Sequence, residues 1–206
     1  MDLSATAYVI LGMVSREPRS GYEIKAAVDG STRFFWAASY GQIYPELKRL
    51  AEAGLIEGVK APTGGRKRNV FSITPAGLSE LRDWLRLPPE TAEMREEGLL
   101  KLFFSGVLPP EDAIATLRAM REQRLDLVER LRGIEEGTKR SGAAEQDDRR
   151  PQEGPGPQTD PYPLMVLRSG IEFNEWFAGW CERMESQLLA LQSESDAKGT
   201  EGARDV

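Results

Sequence analysis

The sequence has no histidine and a single cysteine among its 206 residues. Without histidine, histidine-based catalytic triads and histidine-containing zinc sites are excluded, and no metal or other cofactor is expected. Cys181 cannot close an intramolecular disulfide, and it falls inside a helical pattern where a buried, unreactive thiol is expected. Long apolar runs are missing too. The stretch from Ala5 to Val14 is too short to span a bilayer and follows Asp2 rather than a basic segment, so the chain reads as cytoplasmic. Gly64-Gly65 follows no suitable strand and opens no helix, which rules out a phosphate-binding or dinucleotide fingerprint. Glu96-Glu97 and Glu135-Glu136 lie in charged helical stretches and read as solvated faces. These absences leave no catalytic constellation, and the chain is not expected to be an enzyme.

What is present is concentrated between residues 39 and 77. Ile43, Leu47 and Leu50 recur at spacings of four and three and form one apolar stripe, with Gln42, Tyr44, Lys48 and Arg49 mostly off it. Ser39 is an N-cap residue and Gln42, three positions on, completes a capping box. Pro45 is placed in a first turn that tolerates proline, and Gly54 ends the helix. Leu55 to Val59 and Val70 to Ile73 are short β-rich runs, with Pro62 to Gly65 as the turn and Arg66, Lys67 and Arg68 at the tip. Upstream, Leu3 to Ser15 and Gly21 to Val28 read as helices, the second capped by Ser20. This order is that of a winged helix-turn-helix. Such a unit sets one helix in the major groove and puts wing cations beside phosphates, where counterion release drives binding.

Gly21-Tyr22-Glu23-Ile24, the run from Tyr40 to Leu50, Gly54-Leu55-Ile56 and Ile73-Thr74-Pro75-Ala76-Gly77 together resemble the PadR family of bacterial transcriptional regulators, over nearly all of the first 87 residues. The resemblance implies a dimer of winged helices on a palindromic operator, more often as a repressor, with a helical C-terminal domain supplying the dimer contacts. It implies that Tyr22 meets a phosphate, that Ser39, Tyr40, Gln42, Tyr44 and Lys48 lie at the groove, and that Arg66, Lys67 and Arg68 flank it. Gln42 is the expected base reader, its amide bonding adenine bidentately. The last helix is expected to pack with the partner's first helix through Tyr8, Leu11, Ile171, Trp176, Phe177, Trp180 and Met184. Phe177 and Trp180 as mere core of a single chain are the alternative. Relatives can bind aromatic compounds between their domains, which makes Phe34, Phe35, Trp36 and Trp84 candidate walls of an effector pocket; filling a domain joint is the competing reading.

The charge is partitioned. Residues 1–87 hold 12 Lys and Arg against 9 Asp and Glu, whereas residues 88–206 hold 15 against 24. Lys48, Arg49, Lys60 and Arg66 to Arg68 are the local cluster that would attract DNA, while the acidic remainder repels it.

The expected fold is mainly α with a small β-hairpin: a winged helix-turn-helix at 1–87, a helical, coiled-coil-like dimerisation domain at 88–193 with a disordered linker near 138–160, and a flexible tail at 194–206. A helix from Thr74 or Pro75 to Pro88 carries Leu78, Leu81, Trp84 and Leu85 on its apolar face, and one over Met94 to Gly106 buries Leu99, Leu100, Leu102 and Phe103. Two heptad seams follow, Ala113, Leu117, Met120, Arg124, Leu127, Leu131 and Ile134, then Val166, Gly170, Phe173, Phe177, Trp180, Met184, Gln187 and Leu191. Such seams close either within one chain or between two. The expected partners are double-stranded operator DNA, a second copy of the chain and a small aromatic effector, with no membrane. A winged helix used only for protein docking is the rival reading.

Overall fold

The structure is a computed structural model that describes residues 3–63, 66–90, 95–147 and 160–202, with the backbone alone described at 59–63, 66–68, 139–147 and 195–202. The chain divides into two units, Met1–Ala92 and Glu93–Val206.

The first unit runs α1 (Ala5–Arg16), β1 (Arg19–Ser20), α2 (Gly21–Gly30), α3 (Tyr40–Glu52), β2 (Ile56–Thr63), β3 (Arg66–Ile73) and α4 (Pro75–Arg86). Each helix start carries a hydroxyl cap. Ser4 Oγ accepts from Ala7 N–H at 3.1 Å, and Ser20 with Glu23 forms a reciprocal box in which Ser20 N–H donates to Glu23 Oε2 at 2.8 Å. One side of every helix then points inward: Ile10 and Leu11 of α1, Ile24 and Val28 of α2, Ile43, Leu47 and Leu50 of α3, and Leu81 of α4 share one core with Ile56. Each such side chain contributes roughly 1.5–3 kcal/mol by leaving water.

The sheet differs from the expected hairpin. It has three antiparallel strands in the order β1-β3-β2, because Arg19 pairs with Phe71 and Ser20 with Val70. The hairpin is also longer, running from Ile56 opposite Ile73 to Thr63 opposite Arg66. Pro62 therefore lies in β2, opposite Lys67, rather than in a turn. β2 is an edge strand, where a residue without an N–H is tolerated. Arg66 to Arg68 form the first rungs of β3 rather than its tip; Gly64 and Gly65, where the turn is expected, lie outside the described residues.

Two helix expectations also need correction. Pro45 lies inside α3, past its first turn, so the Gly41 carbonyl has no proline N–H to accept. Gly41 is exposed, and water can satisfy that oxygen. In α4, Leu81 is buried but Leu85 faces solvent.

The second unit holds α5 (Glu97–Phe103), a 3-10 turn at Ser105–Val107, α6 (Pro110–Asp147) and α7 (Tyr162–Gly202). Leu99 and Leu102 pack inward as expected, but Leu100 and Phe103 do not, Phe103 being 81% exposed. In so short a helix residues 99 and 102 share one strip and 100 and 103 the next, and only one strip meets a neighbour. α6 and α7 pack on each other, so the seams close within one chain. Leu117 and Met120 of α6 meet Phe177 and Cys181 of α7. On α7 the buried stripe is Leu167, Gly170, Ile171, Asn174, Phe177, Ala178 and Cys181, while Val166, Phe173 and Leu191 of the expected seam are exposed. A helix drifts about 20° per heptad against a strict seven-residue repeat, so a stripe read from sequence slides off the true face. Inside this pair Arg124 donates to Asn174 Oδ1 at 3.1 Å, bonds Glu96 and lies 4.5 Å from the centre of the Phe177 ring.

α6 continues helical through Asp147 and α7 through Gly202, beyond the points where a linker and a tail are expected to begin. Extending an existing helix costs far less than nucleating one. Residues 148–159 of the expected linker and 203–206 of the expected tail lie outside the described residues.

Candidate nucleic-acid interface

α3 is held from one side. With Ile43, Leu47 and Leu50 buried, Tyr40, Tyr44 and Lys48 are left on the opposite, exposed surface. Lys48 is 80% exposed, and its nearest carboxylate, Glu52, stands 3.7 Å away. An exposed pair of this length is worth little, so Lys48 can exchange Glu52 for a phosphate at small cost. Arg49 reaches Glu46 at 3.5 Å, and Glu46 in turn accepts from Ser4 Oγ at 2.8 Å, which fastens α3 to the start of α1.

The capping box at the head of α3 is formed, with a consequence for base reading. Gln42 Oε1 accepts from Ser39 N–H at 2.9 Å and from Ser39 Oγ at 3.0 Å. Both lone pairs of that oxygen are thereby used. Bidentate recognition of adenine requires the same oxygen as acceptor, so it would need the box to open; the amide nitrogen alone is left to donate.

Two rings flank this cap. Tyr40 and Tyr44 stack with centroids 6.1 Å apart at 24°, and the Lys25 ammonium of α2 lies 5.6 Å from the centre of the Tyr40 ring. Gly21 opens α2 directly beneath them: a Cβ there would stand 2.9 Å from Tyr44 Cε1. Tyr22, the next residue, is exposed. The spacing of apolar residues carries no sign of Lys25 or Gly21 as supports, because their partners are on another helix.

The wing is tied to the end of α3. Gly54, at φ 69°, turns the chain out of the helix, and the Thr74 N–H donates to Leu55 O at 3.1 Å as β3 returns. Lys60, Arg66, Lys67 and Arg68 all have their backbone on the β2–β3 ladder.

The remaining candidates are scattered. Leu11 is fully buried in the first core, and Tyr8 stacks on Trp84 at 4.4 Å and 8° while its hydroxyl donates to Glu80 Oε1 at 3.0 Å. Ile171 and Phe177 are buried within their own chain, Trp180 and Met184 half-buried, and Trp176 exposed. Leu11, Ile171 and Phe177 are therefore packed inside the single chain. Phe34 and Phe35 meet edge to face at 4.8 Å after α2, with Phe35 and Trp36 exposed, whereas Trp84 stacks on Tyr8. Among the described residues no group of three or more His, Cys, Asp or Glu could hold a metal ion, and no helix is long and apolar enough to cross a membrane.

Comparison with known proteins agrees with this architecture. Residues 10–83 match the family model of the transcriptional regulator PadR-like family, and residues 94–188 match that of the virulence activator alpha C-terminal region. The negative transcriptional regulator PadR of Bacillus subtilis (strain 168) is 29% identical over 183 residues, spanning 88% of this chain and 96% of that protein. The crystal structure of Bacillus subtilis PadR with operator DNA is similar at a TM-score of 0.73 and 24% identity, covering 90% of this chain and 99% of that one. The same protein with p-coumaric acid is similar at a TM-score of 0.67 and 26% identity, covering 91% and 98%. The sequence motifs, the winged-helix unit and these relatives converge on one statement: residues 10–83 carry a PadR-like domain, and the chain is similar over most of its length to PadR transcriptional regulators.

Proposed function

We propose that this protein is a sequence-specific repressor that binds a palindromic operator as a homodimer in the cytoplasm and is released by a small aromatic effector. The observation that carries the reading is the two-sidedness of α3: Ile43, Leu47 and Leu50 are locked in the core while Tyr40, Tyr44 and Lys48 stand exposed on the other face. The α3 head enters the major groove, with Tyr40, Tyr44 and the Gln42 amide nitrogen at base edges beside the Ser39 cap. Lys48, Tyr22, Arg66, Lys67 and Arg68 take phosphates, fixing register without reading sequence. Repression is supported by the role of the Bacillus relative as a negative regulator, and an aromatic acid as effector by the p-coumaric acid complex of that relative. Phe34, Phe35, Trp36 and Trp84 are the candidate aromatic contacts for it. Dimer contacts fall to Trp176, Trp180, Met184 and Tyr8. An effector that alters the separation of the two reading helices lowers affinity, because only a dimer matching both half-sites binds tightly.

Enrichment of DNA from a random pool by the full chain tests this. A palindrome with half-sites one helical turn apart, about 34–36 Å, is the expected product. A pool that stays random after repeated rounds leaves the docking-module reading in its place.

A further inference from the structure

We propose that Tyr40 and Tyr44 form a braced aromatic ledge that reads the 5-methyl groups of thymine, with Lys25 as its positioning residue; this rests on the DNA-reading role given above. The head of α3 has little hydrogen-bonding capacity left to offer. The Gln42 carbonyl is consumed by Ser39, so the strongest hydrogen-bonding reader in the first turn is half spent. The largest exposed groups beside it are the two rings, stacked 6.1 Å apart at 24°.

Two contacts hold those rings in place. The Lys25 ammonium stands 5.6 Å from the Tyr40 centroid, within cation–π range. Lys25 is itself fixed: its side chain is 13% exposed and it bonds Asp29, which Arg33 also holds at 3.1 Å. Tyr44 rests on the bare backbone of Gly21, where a Cβ would stand at 2.9 Å. Rings immobilised before binding lose little rotamer entropy on contact, so their apolar surface is available for affinity. In the major groove the thymine methyl is the apolar feature of a base edge, and it distinguishes A·T from T·A as well as from G·C. A ledge of carbon surface at the N-terminal end of the reading helix is matched to that group. The hydroxyls at the ring tips stay available to water or phosphate.

The test uses the full chain and the sequence it enriches from a random pool, with each thymine in turn replaced by deoxyuridine, which deletes the methyl alone. Affinity is expected to fall about fourfold at one or more positions per half-site, the factor for one buried methyl-sized group. Tyr40→Phe keeps that ratio and Tyr40→Ser brings it to one. Lys25→Met lowers the thymine-to-deoxyuridine ratio without shifting the melting temperature measured on the same samples, a readout that loss of fold would not produce. Equal binding of thymine and deoxyuridine by the native chain at every position overturns the ledge, as does an enriched site with no thymine in either half. A full ratio in Tyr40→Ser overturns it too, and a full ratio in Lys25→Met removes the positioning role. If no sequence is enriched, the regulator reading itself fails and the ledge falls with it, whereas enrichment without methyl dependence sinks the ledge alone.

Discussion

The Thr74 hydroxyl lies 2.8 Å from the Gly54 carbonyl oxygen and donates to it, while accepting from Gly77 N–H at 3.1 Å. One side chain thus caps α4 and bolts the returning wing strand to the end of α3. The fit is tight: a Cβ on Gly77 would stand 2.0 Å from the Leu55 carbonyl oxygen. The angle between α3 and the wing follows from this joint.

Thr74→Val is expected to lower the stability of the first unit by about 1–2 kcal/mol, through loss of the cap and of the hydrogen bond to Gly54. Gly77→Ala is expected to cost more, about 3 kcal/mol, because the clash is with backbone that cannot rotate away. Urea melts of both variants check the order; a silent Gly77→Ala would show that the joint is loose.

Lys48→Ala combined with Arg66→Ala is expected to weaken DNA binding similarly across sequences. It should reduce the slope of log affinity against log salt by about 2, since each lost phosphate contact removes roughly 0.9. Gel shifts over a salt series measure the slope, and an unchanged slope removes both residues from the phosphate contacts.

Trp176 and Phe177 are neighbours with opposite expected phenotypes. Phe177→Ala empties a core position among Leu117, Met120 and Cys181 and is expected to destabilise the second unit by about 3–5 kcal/mol. Trp176→Glu, on the exposed side, is expected to leave the melting curve of the monomer near native and shift sedimentation equilibrium from dimer to monomer. A monomeric native chain at micromolar concentration would refute the dimer proposal.

Burial raises the Cys181 thiol above its usual range, against the opposing pull of the nearby Arg124 charge. The native thiol is therefore expected to react slowly with a disulfide reagent at pH 8 and to become reactive in urea as the second unit opens. Because the folded value is raised, the stability this thiol contributes is present below the ordinary value of about 8.5 and is lost as pH rises above it. Rapid labelling of the native chain would contradict the buried placement.

Much of the first unit is legible in the order of its residues. Ser4, Ser20, Ser39 and Thr74 are local signals, since a cap bonds a neighbour three residues away. The stripe of Ile43, Leu47 and Leu50 needs only helical geometry, and all three are buried. β1 is not legible: two residues, Arg19 and Ser20, become a strand only because Phe71 and Val70 arrive beside them. Nor is the length of the hairpin, because the intrinsic preference of Pro62 is for a turn and only its edge position admits it to a strand. In the second unit the expected α7 seam only partly coincides with the buried stripe: Gly170 and Phe177 are buried, whereas Val166, Phe173 and Leu191 face solvent, because a periodic apolar pattern fits either of two adjacent faces until a partner helix selects one.

Residue type and spacings within a few positions were enough to set the helices of the first unit, their caps, the winged order of elements and the exclusion of histidine-based chemistry. Packing in three dimensions settled the rest: that Gln42 spends its oxygen on Ser39 as a formed cap, that Lys25 and Gly21 brace Tyr40 and Tyr44, and that Phe177 fills a core while Trp176 does not. Those relations link residues that chain order leaves undetermined. They are set by which surfaces meet when apolar faces leave water, and the close-packed interior admits one such arrangement.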